Sequence, residues 1–192
     1  MSSQGSQGSR GSSDLQTRAA RVKLLLLDVD GVLTDGRVIL NGGSSESKNF
    51  HIRDGISMVW AQRVGLKVGL LSARSSPTTT QRAAQLGITL MYQGVQSKIE
   101  SYDHIVGEVS VADDEVAYMG DDIVDLAVLE RVGLATAPAD AVDEVRSRVH
   151  WVSSRPGGNG AVRELIEMIL RAQGHWDDIV ASYRAAAPVR GA

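Results

Sequence analysis

The chain has 192 residues, a net charge of -3 and no cysteine. That length fits one domain with a sizeable core, and the charge offers no clustered basic face for a nucleic acid. The missing cysteines exclude a disulfide framework, a zinc–thiolate site and a thiol nucleophile, and no apolar run approaches the ~20 residues of a membrane span.

The N-terminus is almost wholly Ser, Gly and Gln up to Ser13 and lacks the apolar centre of a signal peptide. Residues 1–20 therefore read as a disordered leader, residues 21–184 as the folded domain and residues 185–192 as a flexible tail. Short apolar strands are expected at Val22–Leu27, Lys67–Leu71, Val116–Met119, Leu134–Ala137 and Val149–Val152. Helices are expected at Gly55–Arg63, Pro77–Leu86, Lys98–Gly107, Ile123–Arg131, Ala141–Arg148 and Gly160–Gln173. Alternation of this kind predicts a Rossmann-like three-layer α/β sandwich around a parallel sheet. One segment breaks it. Gly36–Gly43 and Glu46–Ile52 read as a β-hairpin around Asn41-Gly42, inserted just after the first strand and too short to be a cap domain.

Leu24–Leu27 ends at Asp28 and Asp30, with Gly31 next. An apolar run of this kind suits a strand buried on both faces, and ligands bind beyond the carboxyl ends of such strands. Side chains two apart share a face, so both carboxylates can converge, and a bound cation is the usual reason that such groups tolerate each other. Val116–Met119 repeats the design, leading through Gly120 to Asp121, Asp122 and Asp125. Asp122 also suits a helix cap. Ser72 ends another strand, where a hydroxyl can bond a phosphate oxygen, and Lys98 starts a helix. The four histidines show no paired metal-ligand spacing.

Asp28-x-Asp30, Ser72, Lys98 and Gly120-Asp121-Asp122-x-x-Asp125 follow the order of the four motifs of the haloacid dehalogenase superfamily. Asp28–Gly36, Phe50–Gly55 and Gly158–Glu164 narrow the resemblance to the 3-deoxy-D-manno-octulosonate 8-phosphate phosphatases, small capless enzymes of lipopolysaccharide sugar synthesis. The resemblance runs from about Val22 to Gln173. It implies Asp28 as nucleophile, Asp30 as general acid and base, and Ser72 and Lys98 as phosphate ligands. It implies Mg²⁺ held by Asp28, Asp121 and the Asp30 main-chain carbonyl, with Asp122 and Asp125 orienting that shell. Thr34, Arg74, Arg82, Gly158 and Arg163 are the residues expected to meet the substrate, a small phosphorylated sugar acid. The resemblance also implies a cytoplasmic homotetramer in which hairpins assemble centrally and a neighbour completes each site.

Relatives acting on nine-carbon acidic sugar 9-phosphates tend to carry Glu at Arg74 and Lys at Gln85; the residues here favour the eight-carbon ester. Ala73 stands where the family usually has Gly, and Asn159 where many relatives have Arg or Lys. The same chemistry on a nine-carbon ester is the nearest alternative. A non-catalytic phospho-aspartate signalling or scaffold domain is a further one, and Asp30 counts against it.

Overall fold

The computed structural model describes residues 7–42 and 46–185. In chain order, helix α1 spans Gln7–Arg21 and strand β1 Leu24–Leu27, and β2 (Ile39–Leu40) pairs antiparallel with β3 (Glu46–Ser47). Helix α2 (Ile52–Arg63), β4 (Lys67–Ser72), α3 (Pro77–Gln85), β5 (Leu90–Gln93) and α4 (Lys98–Val109) follow. Then come β6 (Val116–Met119), α5 (Leu126–Leu129), β7 (Leu134–Ala137), α6 (Asp143–Arg146), β8 (Trp151–Val152), α7 (Ala161–Ala172) and α8 (Trp176–Ala185).

Six parallel strands form the main sheet in the order β5-β4-β1-β6-β7-β8. The chain builds outward from β1 to one edge, then returns and builds to the other. The crevice at that reversal is where an open α/β sheet offers its ligand site. Because strand side chains alternate, β1 feeds both cores. Leu25 and Leu27 pack with Met58 of α2 and Leu165 and Ile169 of α7. Leu24 and Leu26 pack with Tyr102 and Ile105 of α4 and Val128 of α5. The three-layer sandwich expected from the alternation of elements is thus present, with the hairpin beside it.

The leader differs from expectation. Residues 7–20 belong to α1, because Leu15, Ala19 and the following Val22 recur at helical spacing and pack on the core. The Arg18 guanidinium also donates to the Gly133 carbonyl at 2.8 Å. Residues 1–6 and 186–192 lie outside the described residues, as does the hairpin tip at 43–45. Strand β5 and helix α8 were not expected. The single helix expected from Ile123 to Arg131 is a 3₁₀ turn, Ile123–Asp125, leading into the short α5.

Two stretches distant in sequence meet at the start of α7. The buried Asp54 carboxylate accepts the N–H groups of Gly160 (3.2 Å) and Arg163 (2.8 Å), capping that helix from α2. Gly158, at φ +61°, lies against the catalytic turn; a Cβ there would stand 2.4 Å from the Thr34 carbonyl carbon. Only glycine fits both that dihedral and that approach.

Candidate active site

The carboxyl ends of β1, β4 and β6 bring Asp28, Ser72 and Asp121 to one cleft of about 300 Å³. Asp30, Gly36, Arg74, Lys98, Asp122 and Val124 complete most of its lining. A larger cavity, about 510 Å³, lies between His51, Arg53 and the start of α7. The buried, mutually perturbed acidic groups gather in the smaller one, which we take as the reaction centre.

Lys98 sits at the first turn of α4, whose cap is the Ser97 hydroxyl accepting from the Glu100 N–H. That entry turns the lysine inward. Its Nζ lies 2.9 Å from Asp28 Oδ2, 2.6 Å from Asp125 Oδ1 and 3.3 Å from the Tyr118 hydroxyl. Burial pulls the Lys98 ammonium down, but Asp28 and Asp125 outweigh it and hold its pKa above the ordinary value.

Burial, reinforced by Asp125 and opposed by Lys98, pushes Asp28 up to about 6. Burial beside Asp28 and Asp125 pushes Asp121 up to about 7. The site is therefore short of positive charge. Oxygens of Asp28, Asp121 and Asp125 lie within 4.8 Å of one another. An all-oxygen anionic donor set fits a hard divalent cation. Within that set the roles separate. Asp125 Oδ1 accepts from Lys98 and from the Tyr118 hydroxyl (2.5 Å), and Oδ2 accepts the N–H groups of Asp121 (3.0 Å) and Asp122 (3.2 Å). A carboxylate has about four lone-pair sites, so Asp125 is fully engaged in fixing its neighbours, while Asp28 and Asp121 keep capacity for a metal. Asp122 is exposed and caps the 3₁₀ turn through the Ile123 N–H at 2.7 Å. Gly31, at φ +87°, leaves room for Asp121, since a Cβ there would meet Asp121 Oδ2 at 2.0 Å.

The Asp30 carboxylate finds its partners outside that cluster. Its Oδ1 accepts from Lys48 Nζ at 2.7 Å, and Arg74 Nη1 lies 3.6 Å from Oδ2. Arg74 also pairs with Glu46 of β3 at 2.9 Å, tying the hairpin to the cleft. The buried Ser72 hydroxyl accepts from the Arg74 N–H at 3.3 Å.

The other residues expected to meet substrate lie elsewhere in the chain. Thr34 is buried; its hydroxyl accepts from the N–H groups of Gly31 and Gly36 and donates to the Val29 carbonyl, holding the turn after β1. Gly158 buttresses that same turn, its N–H donating to the Val32 carbonyl at 2.9 Å. Arg82 lies against Gly55 of α2 and bonds Gln85, because its position on α3 faces α2. Arg163 pairs with Glu167 and stacks over Trp60 (4.2 Å) and Trp176 (5.3 Å), lining the larger cavity. Lys48 and Tyr118 carry no sequence signal of their own. A lone lysine after a hairpin reads as solvated, and a tyrosine in a strand reads as core.

Comparison with known proteins agrees with this geometry. A haloacid dehalogenase-like hydrolase model matches residues 72–165. The chain is 38% identical to the 3-deoxy-D-manno-octulosonate 8-phosphate phosphatase of Escherichia coli K12, over 87% of this chain and 89% of that protein. The enzyme of the same name from Yersinia pestis is also 38% identical, over 83% and 86%. Among solved structures, the Moraxella catarrhalis phosphatase of that name, in complex with magnesium, phosphate and 3-deoxy-D-manno-octulosonate (KDO), superposes with a TM-score of 0.87 at 31% identity, covering 89% of this chain and 98% of that one. A cobalt-bound Haemophilus influenzae relative gives 0.83 at 36% identity, covering 88% and 99%. The chain belongs to the 3-deoxy-D-manno-octulosonate 8-phosphate phosphatase family of haloacid dehalogenase-like hydrolases.

Proposed function

We propose that the chain is a magnesium-dependent phosphatase that hydrolyses 3-deoxy-D-manno-octulosonate 8-phosphate to the free sugar acid and phosphate. The observation that carries this is the meeting of Asp28, Lys98 and Asp121 at adjacent strand ends. A carboxylate is a competent nucleophile for phosphoryl transfer, and the reaction otherwise asks for positioning and charge stabilisation. An Asp28 oxygen attacks phosphorus as the ester P–O bond breaks. Asp30 gives its proton to the departing sugar oxygen. Asp30 then takes a proton from the water that attacks the phosphorus of the aspartyl-phosphate, and phosphate leaves as the bond to Asp28 breaks. Ser72 and Lys98 hold the phosphoryl oxygens. Asp28 and Asp121 would hold magnesium, which would supply positive charge to offset that of the dianionic ester and the carboxylates.

Arg74 stands at the cleft and is half-exposed, with a guanidinium suited to the substrate carboxylate. The hairpin exposes Val38, Ile39 and Leu40, the last at 80% exposure, on strands of only two residues each. Such a ribbon is marginal alone and gains by packing against copies of itself. This supports a homotetramer in which a neighbour closes each cleft. Among the described residues no helix is long and apolar enough to cross a membrane, and the cysteine-free composition fits the cytoplasm.

Acid-quenching the enzyme during turnover of a radiolabelled ester tests the chemistry. Label is expected on the peptide bearing Asp28, and none on Asp28→Asn. An active Asp28→Asn variant would refute the assignment.

A further inference from the structure

The hairpin carries a lysine that the motif reading leaves without a task. Lys48 follows β3, and its side chain is fully buried. Its ammonium donates to Asp30 Oδ1 at 2.7 Å and lies 3.8 Å from Glu46 Oε1. Arg74 closes the circuit, 2.9 Å from Glu46 and 3.6 Å from Asp30. Two cations and two carboxylates thus alternate in a ring that joins the hairpin to the catalytic turn. A buried lysine is seldom retained without a partner, and here its hydrogen-bonded partner is the proposed acid and base.

The oxygens of Asp30 are not equivalent in this ring. Oδ1 is taken by Lys48. Oδ2 is buried and has no hydrogen-bond partner. Oδ2 therefore keeps its lone pairs, beside Arg74 Nη1 at 3.6 Å, and a substrate that draws Arg74 to its carboxylate uncovers it. We propose that Lys48 is a positioning residue for the phosphatase reaction, anchoring Asp30 through Oδ1 so that Oδ2 is presented to the leaving oxygen of an alkyl phosphate. The inference rests on the phosphatase reading. Lys48 acts through Asp30: its charged partners are the Asp30 and Glu46 side chains, not Asp28 or Asp121. Its effect falls on the step that moves a proton: Asp30 gives the proton from Oδ2 as the ester bond breaks, and recovers one from the attacking water.

The dependence on leaving group isolates that role. A sugar alkoxide needs a proton to depart, whereas a nitrophenolate departs without one. The test measures kcat and KM of the full chain with Mg²⁺ on the eight-carbon sugar-acid phosphate and on p-nitrophenyl phosphate. It compares the wild type with Lys48→Met, which keeps most of the buried alkyl volume, and with Lys48→Arg, which keeps the charge. Lys48→Met is expected to lower kcat/KM, which reads the transfer to Asp28 and not the water step that both esters share, by about 10²-fold on the sugar ester, the lower end for general acid catalysis, and by less than about tenfold on the aryl ester. Lys48→Arg should restore part of the loss. Should Lys48→Met fail to fold, Lys48→Gln, a neutral donor of similar reach, carries the same comparison. An equal fall in kcat/KM on both esters, or a rise in KM with kcat unchanged, overturns the proposal. A wild type inactive on both esters would remove the phosphatase reading and the proposal with it; an active wild type separates the two failures.

Discussion

Asp125→Asn is the sharpest perturbation available, because it keeps shape and removes charge at the hub of the site. The native carboxylate accepts four hydrogen bonds, from Lys98, Tyr118 and the N–H groups of Asp121 and Asp122. An asparagine amide has one oxygen and one NH₂. With the NH₂ at Oδ1 it faces the Lys98 ammonium, which cannot accept. With the NH₂ at Oδ2 it faces two backbone N–H groups, which cannot accept either. Either orientation orphans buried donors. Breaking one side of a buried ion pair costs about 3–5 kcal/mol. Removing a negative charge beside Asp28 and Asp121 relieves repulsion and returns roughly 1 kcal/mol of this. The net loss is about 2–4 kcal/mol, or roughly 10 °C in melting temperature for a chain of this size. Calorimetry at fixed protein concentration without Mg²⁺ measures it, and phosphate release should fall at least about 10²-fold because Lys98 and the Asp121 backbone both lose their anchor. A variant melting within about 1 °C of the wild type would refute the view of Asp125 as the organising residue.

Asp28 and Asp121 titrate upward, to about 6 and about 7. A carboxylate whose folded value is raised contributes stability below its ordinary value near 3.8, and this is lost as pH rises through the folded value. In chelator, melting temperature should therefore fall between about pH 4 and pH 7, the span from the unfolded to the folded values, the fall should be smaller in Asp121→Asn, and Mg²⁺ should stabilise more at the higher pH; an identical pH dependence in the variant would contradict this. Gly158→Ala forces a side chain to φ +61° and to within 2.4 Å of the Thr34 backbone. It should cost about 3 kcal/mol or more in urea unfolding and lower activity through the displaced turn, whereas a loss under about 1 kcal/mol would mean that the two loops separate freely. Arg163→Ala should lower stability through lost stacking on Trp60 and Trp176, while kcat on p-nitrophenyl phosphate stays within about threefold of the wild type; a larger fall would place this arginine at a site.

What could be read from the sequence depended on how locally each feature is determined. Strands β1 and β6 are buried on both faces and read as continuous apolar runs, and β7 does so save for the buried Thr136. Asp28, Ser72, Lys98 and Asp121 were legible for a related reason: each stands at the end or start of such an element, and the topology of a parallel sheet gathers those ends. Strand β5 escaped because it is an edge strand, half-buried, with Tyr92 and Gln93 in place of alternation. Helix α1 was hidden by its Ser and Gly content, although Leu15, Ala19 and Val22 mark one face. The direction of a long side chain was the least accessible property. Arg82 and Arg163 carry the right chemistry, but they lie against Gly55 and over Trp60 and Trp176 and are not among the residues that line the cleft. Lys48 was invisible for the converse reason. Its burial depends on Asp30, eighteen residues earlier, and on the hairpin folding back over the turn.

Mg²⁺-dependent phosphate release from 3-deoxy-D-manno-octulosonate 8-phosphate, beside nine-carbon sugar-acid 9-phosphates and with Asp28→Asn as the blank, decides both the chemistry and the substrate. Release should require both Mg²⁺ and Asp28 and strongly prefer the eight-carbon ester. Preference for a nine-carbon ester would contradict the substrate assignment while keeping the chemistry, and no release from any ester by folded protein with Mg²⁺ would contradict the phosphatase itself.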